Sequence, residues 1–247
     1  MKPHIKLATA QTPDGGKMEL YQHDRDFSIK INGQELMNSR QHESERDLAR
    51  LGCAHLSTHE SPRVLIGGLG MGYTLRQTLD MLGRNATVVV SELLSAVVDW
   101  NREYLKELNG QPLDDKRTEI ITGDIFQLIS QSNSRFDAIL LDVDNGPSAI
   151  TDSGNQRLYI PAGIQACRRA LRKAGSLAIW SAEPSKAFEQ LLMSCGFHVR
   201  RYRGKAYEES NSKPRFIIWV AAEDETILPP GGGEPDLSIK KKPMGNR

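Results

Sequence analysis

The chain has 247 residues, enough for one large α/β domain with a modest appendage and a sizeable buried core. Its formal net charge of +1 gives no electrostatic reason to expect nucleic acid or an anionic membrane as a partner. Its three scattered cysteines form neither a disulfide framework nor a zinc-ligand pair, and no apolar run resembles a signal peptide or a membrane span, so we expect a cytoplasmic protein.

The N-terminal part alternates between apolar and polar side chains. Over residues 17–37 this alternation surrounds an Asn-Gly pair, which is a strong hairpin signal and predicts two or more short antiparallel strands. The period then changes, and Leu48 and Leu51 share one face of a predicted helix. We assign residues 1–60 to a β-hairpin region with a linking helix.

From residue 63 onward, predicted strands alternate with amphipathic helices. This alternation requires crossover connections and predicts a doubly wound, mostly parallel sheet in an α/β domain over residues 61–223. The last two strands are joined without a clear helix, which predicts an antiparallel hairpin at one edge. Residues 224–247 are rich in Pro, Gly and charge, which predicts a disordered tail. The seven strand candidates are 63–67, 86–91, 118–122, 136–142, 175–181, 197–203 and 215–222.

A glycine-rich turn follows the first strand of this domain. The stretch VLIGGLGMGYTLRQ, residues 64–77, carries Gly68, Gly70 and Gly72 between a β-branched segment and a helical pattern. Such a turn brings backbone N–H groups at a helix N-terminus close to a bound nucleotide, where a side chain would hold the ligand away. We therefore predict a nucleotide site at this turn.

Acidic residues follow the next three strands in order. Glu92 ends the second strand, where its carboxylate can accept hydrogen bonds from both ribose hydroxyls. Gly123 and Asp124 follow the third strand, where the Asp can accept a hydrogen bond from the adenine amino group. Asp142 and Asp144 follow the fourth, at the edge where open α/β sheets bind ligands. Together these positions predict one nucleoside site.

The spacing of the glycines indicates which nucleoside binds. Dinucleotide sites usually show G-x-G-x-x-G, whereas the third glycine here comes one residue early. The extra acid after the third strand also suits an adenine lodged between loops. We therefore predict S-adenosylmethionine or a related sulfonium nucleoside, and a transferase. A dinucleotide-dependent oxidoreductase is disfavoured, because no Tyr-x-x-x-Lys pair is found.

These residues resemble the spermidine synthase family of polyamine aminopropyltransferases. The stretch VLIGGLGMGYTLRQ is similar to that family's GGGDGG-x-x-R-E turn, FDAILLDVDNGPSA to its catalytic loop and QHESERDLARL to its YHE segment. The resemblance implies a seven-stranded, class I methyltransferase-like Rossmann fold behind an N-terminal β-hairpin region. It implies no metal. It further implies donor contacts from Gly68, Gly70, Met71, Gly72, Glu92, Leu93, Gly123, Asp124, Ile125 and His42, and catalytic roles for Asp142, Asp144 and Tyr159.

Three departures from the family pattern bear on the reaction. Met71 replaces the acid of GGGDGG that would pair with the ammonium of a decarboxylated donor, and its neutrality removes repulsion of the carboxylate of intact S-adenosylmethionine. The catalytic loop is shortened to DVDNGP, and Gln41 replaces the tyrosine of YHE. We therefore expect methyl transfer from S-adenosylmethionine. The alternative is aminopropyl transfer from decarboxylated S-adenosylmethionine, and a further alternative is a non-catalytic nucleoside-binding protein.

The two transfer reactions share a mechanism and a class of partner. An attacking amine must be neutral, and Asp142 is placed to take its proton, while Tyr159 closes over the acceptor. Metal assistance through Asp142, Asp144 and Asn145 is a lesser alternative. We expect a small-molecule acceptor, such as an amine, with neither nucleic acid nor membrane as partner. The resemblance also implies a homodimer formed through the β region.

Overall fold

The computed structural model describes residues 3–143, 155–204 and 216–235, which form two β-sheets. The N-terminal sheet is antiparallel, with its four strands in chain order. Asn32 and Gly33 adopt positive φ angles of 49° and 81° between the last two strands, as the Asn-Gly hairpin signal predicts. The strands are β1 (Ile5–Gln11), β2 (Lys17–His23), β3 (Asp26–Ile31) and β4 (Gln34–Asn38).

The second sheet has seven strands in the order β10-β11-β9-β8-β5-β6-β7. Strands β5 to β9 are parallel, β11 is antiparallel to β9, and β10 is antiparallel to β11 at the edge. The predicted fold class is therefore confirmed, including the antiparallel hairpin. The strands are β5 (Arg63–Gly67), β6 (Thr87–Glu92), β7 (Thr118–Thr122), β8 (Phe136–Leu141), β9 (Leu171–Ser181), β10 (His198–Gly204) and β11 (Phe216–Ala222).

Helices cover both faces of this sheet, and successive strand residues serve two separate cores. In β8, Ala138 and Leu140 belong to the core under α1, α2 and α3, whereas Ile139 and Leu141 belong to the core under α4, α5 and α6. The N-terminal sheet joins the first core through its buried apolar side chains. The helices are α1 (Glu43–Gly52), α2 (Tyr73–Met81), α3 (Ser95–Glu103), α4 (Ile125–Ser130), α5 (Pro161–Ala170) and α6 (Lys186–Ser194).

Helix α1 lies directly on β8 and β9. A Cβ added to Gly52 would lie 2.2 Å from the side chain of Leu140, so the last turn of α1 approaches the sheet too closely for any other residue. The Ser176 hydroxyl of β9 donates to the Gly52 carbonyl at 2.6 Å. Because Gly52 sits over the body of the strands, the first turn of α1 reaches their carboxyl ends.

The segment after β11 differs from the disorder expected of it. Residues 225–227 form a 3-10 turn, the Tyr202 hydroxyl donates to the Pro229 carbonyl, and Gly233 pairs with Arg201 of β10. Leu228 is buried, and its burial favours this ordered path. The rest of the expected tail, residues 236–247, lies outside the described residues.

The three cysteines are buried and free, in agreement with a role as small apolar side chains. Over residues 3–143, 155–204 and 216–235, the structure contains no helix with the length and apolarity needed to cross a bilayer.

Candidate active site

The predicted glycine turn joins β5 to α2 at the carboxyl edge of the sheet. Gly68, Gly70 and Gly72 all have positive φ, at 89°, 52° and 83°. A Cβ on Gly68 would lie 2.5 Å from the Asp142 carbonyl oxygen, so glycine is required there by both conformation and space. The glycine turn therefore packs directly against the backbone that follows β8.

Two asparagines that the sequence analysis did not assign to the site hold this turn in place. The Asn101 side-chain amide of α3 donates to the carbonyl of Gly70 at 2.8 Å, and the Asn109 amide donates to the carbonyl of Met71. Both side-chain amides donate hydrogen bonds to the backbone of a distant segment, so their role in supporting the turn is visible only in the tertiary structure. The amphipathic pattern of α3 gave no signal for it.

Met71, which we expected to face the donor, turns into the apolar core. Its side chain is 3% exposed and belongs to the same core as Tyr73 and Leu75. An uncharged residue buried in this way neither pairs with a charge on a ligand nor repels one.

Glu92 lies beside the turn, as predicted, and also supports it. Its Oε2 accepts the Leu69 N–H at 2.9 Å and its Oε1 accepts the Leu94 N–H at 2.9 Å. Burial raises the pKa of Glu92, while these backbone hydrogen bonds oppose the rise. Backbone N–H groups of Leu93 and Gly70 also act on this carboxylate, and its predicted contact with ribose hydroxyls stays a prediction. The neighbouring Leu93 side chain is 52% exposed.

Asp124, the predicted adenine contact, already has two partners. Its Oδ1 caps α4 by accepting the Phe126 N–H at 2.8 Å, and its Oδ2 accepts from Arg157 at 2.6 Å. Gly123 before it donates its N–H to the Glu92 carbonyl, and Ile125 after it is buried. An adenine amino group would therefore share Asp124 with Arg157, a residue that the sequence analysis did not consider.

Asp142 follows β8 and lies against the first turn of α2. Its N–H donates to the Gly67 carbonyl at 3.0 Å, and its Oδ2 accepts the Thr74 hydroxyl at 2.8 Å. Burial raises the pKa of Asp142 to about 6, and the hydrogen bond from Thr74 opposes the rise. No basic side chain pairs with Asp142 among the residues that the structure describes.

The remaining predicted residues lie around this centre. The Tyr159 hydroxyl donates to the Val143 carbonyl at 3.1 Å, which ties this tyrosine to the backbone beside Asp142. The ring of His42 stacks on Tyr73 with centroids 4.2 Å apart, one residue beyond the glycine turn. Asp144 lies outside the described residues, as does the neighbouring Asn145.

Glu45 is a further acidic residue at this edge that the sequence analysis did not identify. The Thr74 hydroxyl that donates to Asp142 also lies 3.4 Å from the Glu45 carbonyl oxygen. Burial raises the pKa of Glu45 to about 7, and the negative charge of Asp142 adds to the rise. The only signal in the sequence is the helical spacing of Glu45 with Leu48, Ala49 and Gly52, which places it on the buried face of α1.

Comparison with known proteins gives a consistent family. Residues 46–194, more than half of the chain, match the Spermine/spermidine synthase domain. A polyamine aminopropyltransferase of Saccharolobus islandicus (strain Y.N.15.51 / Yellowstone #2) is 31% identical over 135 residues, 54% of this chain and 44% of that protein. The chain thus matches less than half the length of this curated relative.

Solved structures show the same fold. The spermidine synthase from Thermotoga maritima has a TM-score of 0.68 at 20% identity, covering 91% of this chain and 75% of that chain. A spermidine synthase in complex with the transition state analogue AdoDATO has a TM-score of 0.67 at 19% identity, covering 91% and 76%. At these identities the likeness concerns the fold.

These findings overturn the expectation of methyl transfer from intact S-adenosylmethionine. The matched domain and the curated relative are named for polyamine synthesis and aminopropyl transfer. The expectation depended on the missing acid at Met71, and that argument fails because the Met71 side chain lies in the core.

Proposed function

This chain belongs to the spermine/spermidine synthase domain family, and we propose that it transfers an aminopropyl group from decarboxylated S-adenosylmethionine to an amine. The observation that carries the proposal is Asp142, a carboxylate without a cationic partner among the described residues, placed beside the glycine turn. An amine that must lose a proton before or during attack needs such a base.

The residues around the turn fit the donor, which is a substrate of the reaction. The positive-φ glycines leave the backbone open to a nucleoside, and the Glu92 carboxylate lies beside this turn, where it can accept from a ribose hydroxyl. Decarboxylation leaves the donor with a terminal ammonium group and no carboxylate. This charge suits Asp142 and Glu45, which form no ion pair with an arginine or lysine among the described residues, whereas a carboxylate would be repelled.

The transfer step is a displacement at carbon. The lone pair of a neutral amine nitrogen forms a bond to the aminopropyl carbon that is attached to sulfur. The C–S bond to this carbon breaks, and its electrons remain on sulfur, which becomes a neutral thioether. The proton of the attacking nitrogen passes to Asp142, directly or through water. Holding the nitrogen in line with this bond supplies much of the acceleration.

The surroundings of Asp142 match this task. Its pKa of about 6 lies below neutral pH, so the carboxylate is ionised and ready to accept a proton at pH 7 to 8. Its hydrogen bonds to Thr74 and Gly67 fix its position, and Tyr159 supports the adjoining backbone at Val143. We propose Asp142 as the catalytic base and Tyr159 as a positioning residue.

The test is to incubate the purified chain with decarboxylated S-adenosylmethionine and a diamine such as putrescine. Formation of the thioether nucleoside and the aminopropylated amine in equal amounts is expected, and Asp142→Asn should abolish both while still binding the donor. Absence of both products across a series of diamines would contradict the proposal. So would full activity of Asp142→Asn.

Several properties of the whole protein remain predictions under this proposal. They are a small amine as acceptor, a homodimer, a cytoplasmic setting, the absence of nucleic acid and membrane partners, and the donor contacts of Leu93, Gly123, Asp124, Ile125 and His42. The catalytic role of Asp144 is likewise still a prediction.

A further inference from the structure

The carboxyl edge beyond β7 holds an arginine against the predicted adenine contact. Arg157 Nη2 donates to Asp124 Oδ2 at 2.6 Å, and the guanidinium lies over the Phe126 ring, 4.9 Å from its centroid. Phe126 also donates its N–H to Asp124 Oδ1, so the three residues form one compact group. The side chains of Arg157 and Asp124 are 53% and 28% exposed, so the pair is open to solvent and to a ligand.

The backbone that carries Arg157 is fixed by its neighbours. The next residue, Leu158, is fully buried, and the Tyr159 hydroxyl donates to the Val143 carbonyl after β8. A Cβ added to Gly163 of α5 would lie 2.1 Å from the Arg157 carbonyl oxygen, so this helix packs directly on the same backbone. The fold therefore sets the position of Arg157 at the edge and presents its guanidinium to Asp124 before a ligand binds.

An uncovered apolar side chain lies near this pair. The Gly123 N–H donates to the Glu92 carbonyl at 2.8 Å, so Leu93 follows β6 beside the backbone that leads into Asp124. The Leu93 side chain is one of the few large apolar side chains exposed among the described residues. An exposed leucine near a hydrogen-bonding pair, at the carboxyl edge of a parallel sheet, suits the flat face of a nucleobase.

We propose that Arg157 is a specificity-determining residue of donor binding, whose guanidinium donates a hydrogen bond to a ring nitrogen of adenine, beside the amino group that Asp124 accepts. This inference rests on the proposed function and deepens it, because the adenine belongs to the proposed donor. It assigns Arg157 to recognition of the nucleobase and gives it no part in the transfer step.

The hydrogen-bonding groups of the pair complement the edge of adenine. The amino group of adenine is a donor, and the ring nitrogens on either side of it, N1 and N7, are acceptors. A carboxylate can only accept, whereas a guanidinium can only donate, so Asp124 binds the amino group and Arg157 serves a ring nitrogen. The Phe126 N–H and Arg157 occupy two of the roughly four acceptor positions of the carboxylate, which leaves room for the amino group. Two donors on one carboxylate lie side by side, and this brings the adjacent ring nitrogen within reach of the guanidinium.

The alternative is that Arg157 and Asp124 form an ordinary surface ion pair. Such pairs contribute little to stability, and this alternative predicts no effect of Arg157 on nucleoside affinity. The pair of Arg168 and Glu223 provides the matched control, because it is also a partly exposed arginine–carboxylate pair but joins the last turn of α5 to the residue after β11. Since β11 runs antiparallel to β9, this control pair lies at the opposite edge of the sheet.

Calorimetric titration of the full chain with methylthioadenosine, the thioether nucleoside product, measures nucleobase recognition without turnover. We expect Arg157→Leu to weaken binding about tenfold, as for the loss of a hydrogen bond from a charged donor. Arg157→Lys keeps a charged donor and should recover part of this affinity. Arg168→Leu should leave the affinity within about twofold, as for an exposed ion pair far from the ligand. Equal affinities of Arg157→Leu and Arg168→Leu would overturn the inference.

Nucleosides that lack one ring nitrogen separate a direct contact from a role of Arg157 in holding Asp124. In 1-deaza- and 7-deaza-methylthioadenosine a C–H group replaces N1 or N7, and the amino group is retained. One of these two analogues should bind the unaltered chain about tenfold more weakly than methylthioadenosine does, and this difference should disappear in Arg157→Leu, where the donor is already absent. If each analogue loses the same factor in both proteins, Arg157 does not bind the ring and the inference is wrong.

The outcomes for the function and for this inference are separable. Aminopropyl transfer without coupling between Arg157 and either ring nitrogen would overturn the inference and leave the function standing. Coupling in the binding experiment without any transfer would support the inference and overturn the function. Absence of both nucleoside binding and transfer would overturn both.

Discussion

Strand β8 has an acidic residue near each end, and the two differ in the partners that surround their carboxylates. Asp137, near the amino end, accepts from the Arg172 guanidinium and from the Arg63 N–H, each at 2.7 Å. Asp142, just past the carboxyl end, accepts a hydroxyl from Thr74 and has no basic partner among the described residues. The same strand thus presents a neutralised carboxylate at one edge of the sheet and an uncompensated one at the other.

The surroundings of a buried carboxylate therefore indicate its role better than its residue type does. A paired acid stabilises the fold, because separating it from its partner leaves a buried charge. An unpaired acid costs stability, and it is retained where its charge or its proton affinity is used. Three predictions follow from this contrast between Asp137 and Asp142.

The largest expected effect is on turnover at the carboxyl edge. Asp142→Asn removes the base and should lower kcat for aminopropyl transfer by about 10²- to 10⁴-fold, the usual range for general base catalysis. Steady-state kinetics with saturating amine measures it, and Asp137→Asn is the matched control, expected to retain kcat within a few-fold. A similar loss of kcat in both variants would contradict a catalytic role that is specific to Asp142.

The second effect is on stability at the amino edge. Asp137→Asn removes the charge that pairs with Arg172 and should lower the free energy of unfolding by about 2 kcal/mol. For a chain of this size each kcal/mol corresponds to about 2–4 °C in Tm. Chemical denaturation measures it, and an unfolding free energy equal to that of the unaltered chain would show that the ion pair contributes nothing.

The third effect is the pH dependence of stability at the carboxyl edge. The pKa of Asp142 is raised by burial from 3.8 to about 6, so the folded state holds its proton to higher pH than the unfolded state does. Stability from this group is therefore present at low pH and lost as pH rises between about 4 and 6. Asp142→Asn should match the unaltered chain below pH 4 and exceed its unfolding free energy by about 3 kcal/mol above pH 7, because each unit of pKa difference corresponds to about 1.4 kcal/mol.

Other titrating groups bear on that measurement, and those whose pKa does not depend on the charge of Asp142 cancel in the difference between the two proteins. Asp142 faces Thr74 from α2 and Glu45 from α1, whose own pKa of about 7 reflects burial and then the charge of Asp142. His55, whose pKa is lowered by burial, titrates alike in both proteins and cancels. A stability difference that does not change between pH 4 and pH 7 would contradict an unpaired, buried Asp142.

Much of the architecture was readable from periodicity. Strand β5 at 63–67 and strand β7 at 118–122 have the predicted bounds, and the Asn-Gly turn was located correctly. The sequence also indicated that glycines and then acids follow successive strands. Strand direction alone decides that these residues meet at one edge, so the place of the site could be predicted.

The details of the site depended on contacts between distant segments. Glu45 is 97 positions before Asp142 in the numbering, and only the packing of α1 on β8 brings them together. The roles of Asn101 and Arg157 arise from hydrogen bonds to loops far along the chain. No local pattern marks such residues, because their partners are not their sequence neighbours.

Local period, turn chemistry and strand order were enough to predict the fold class, which the structure confirms, and they also predict the carboxyl edge as the site and a sulfonium nucleoside as its ligand. The tertiary structure decided which side chains face the site. Met71 lies in the turn by sequence yet packs in the core, whereas Glu45 lies on a distant helix yet reaches Asp142. The physical reason is that the direction of a side chain is set by the packing of whole elements against one another, and charge acts through the resulting distances.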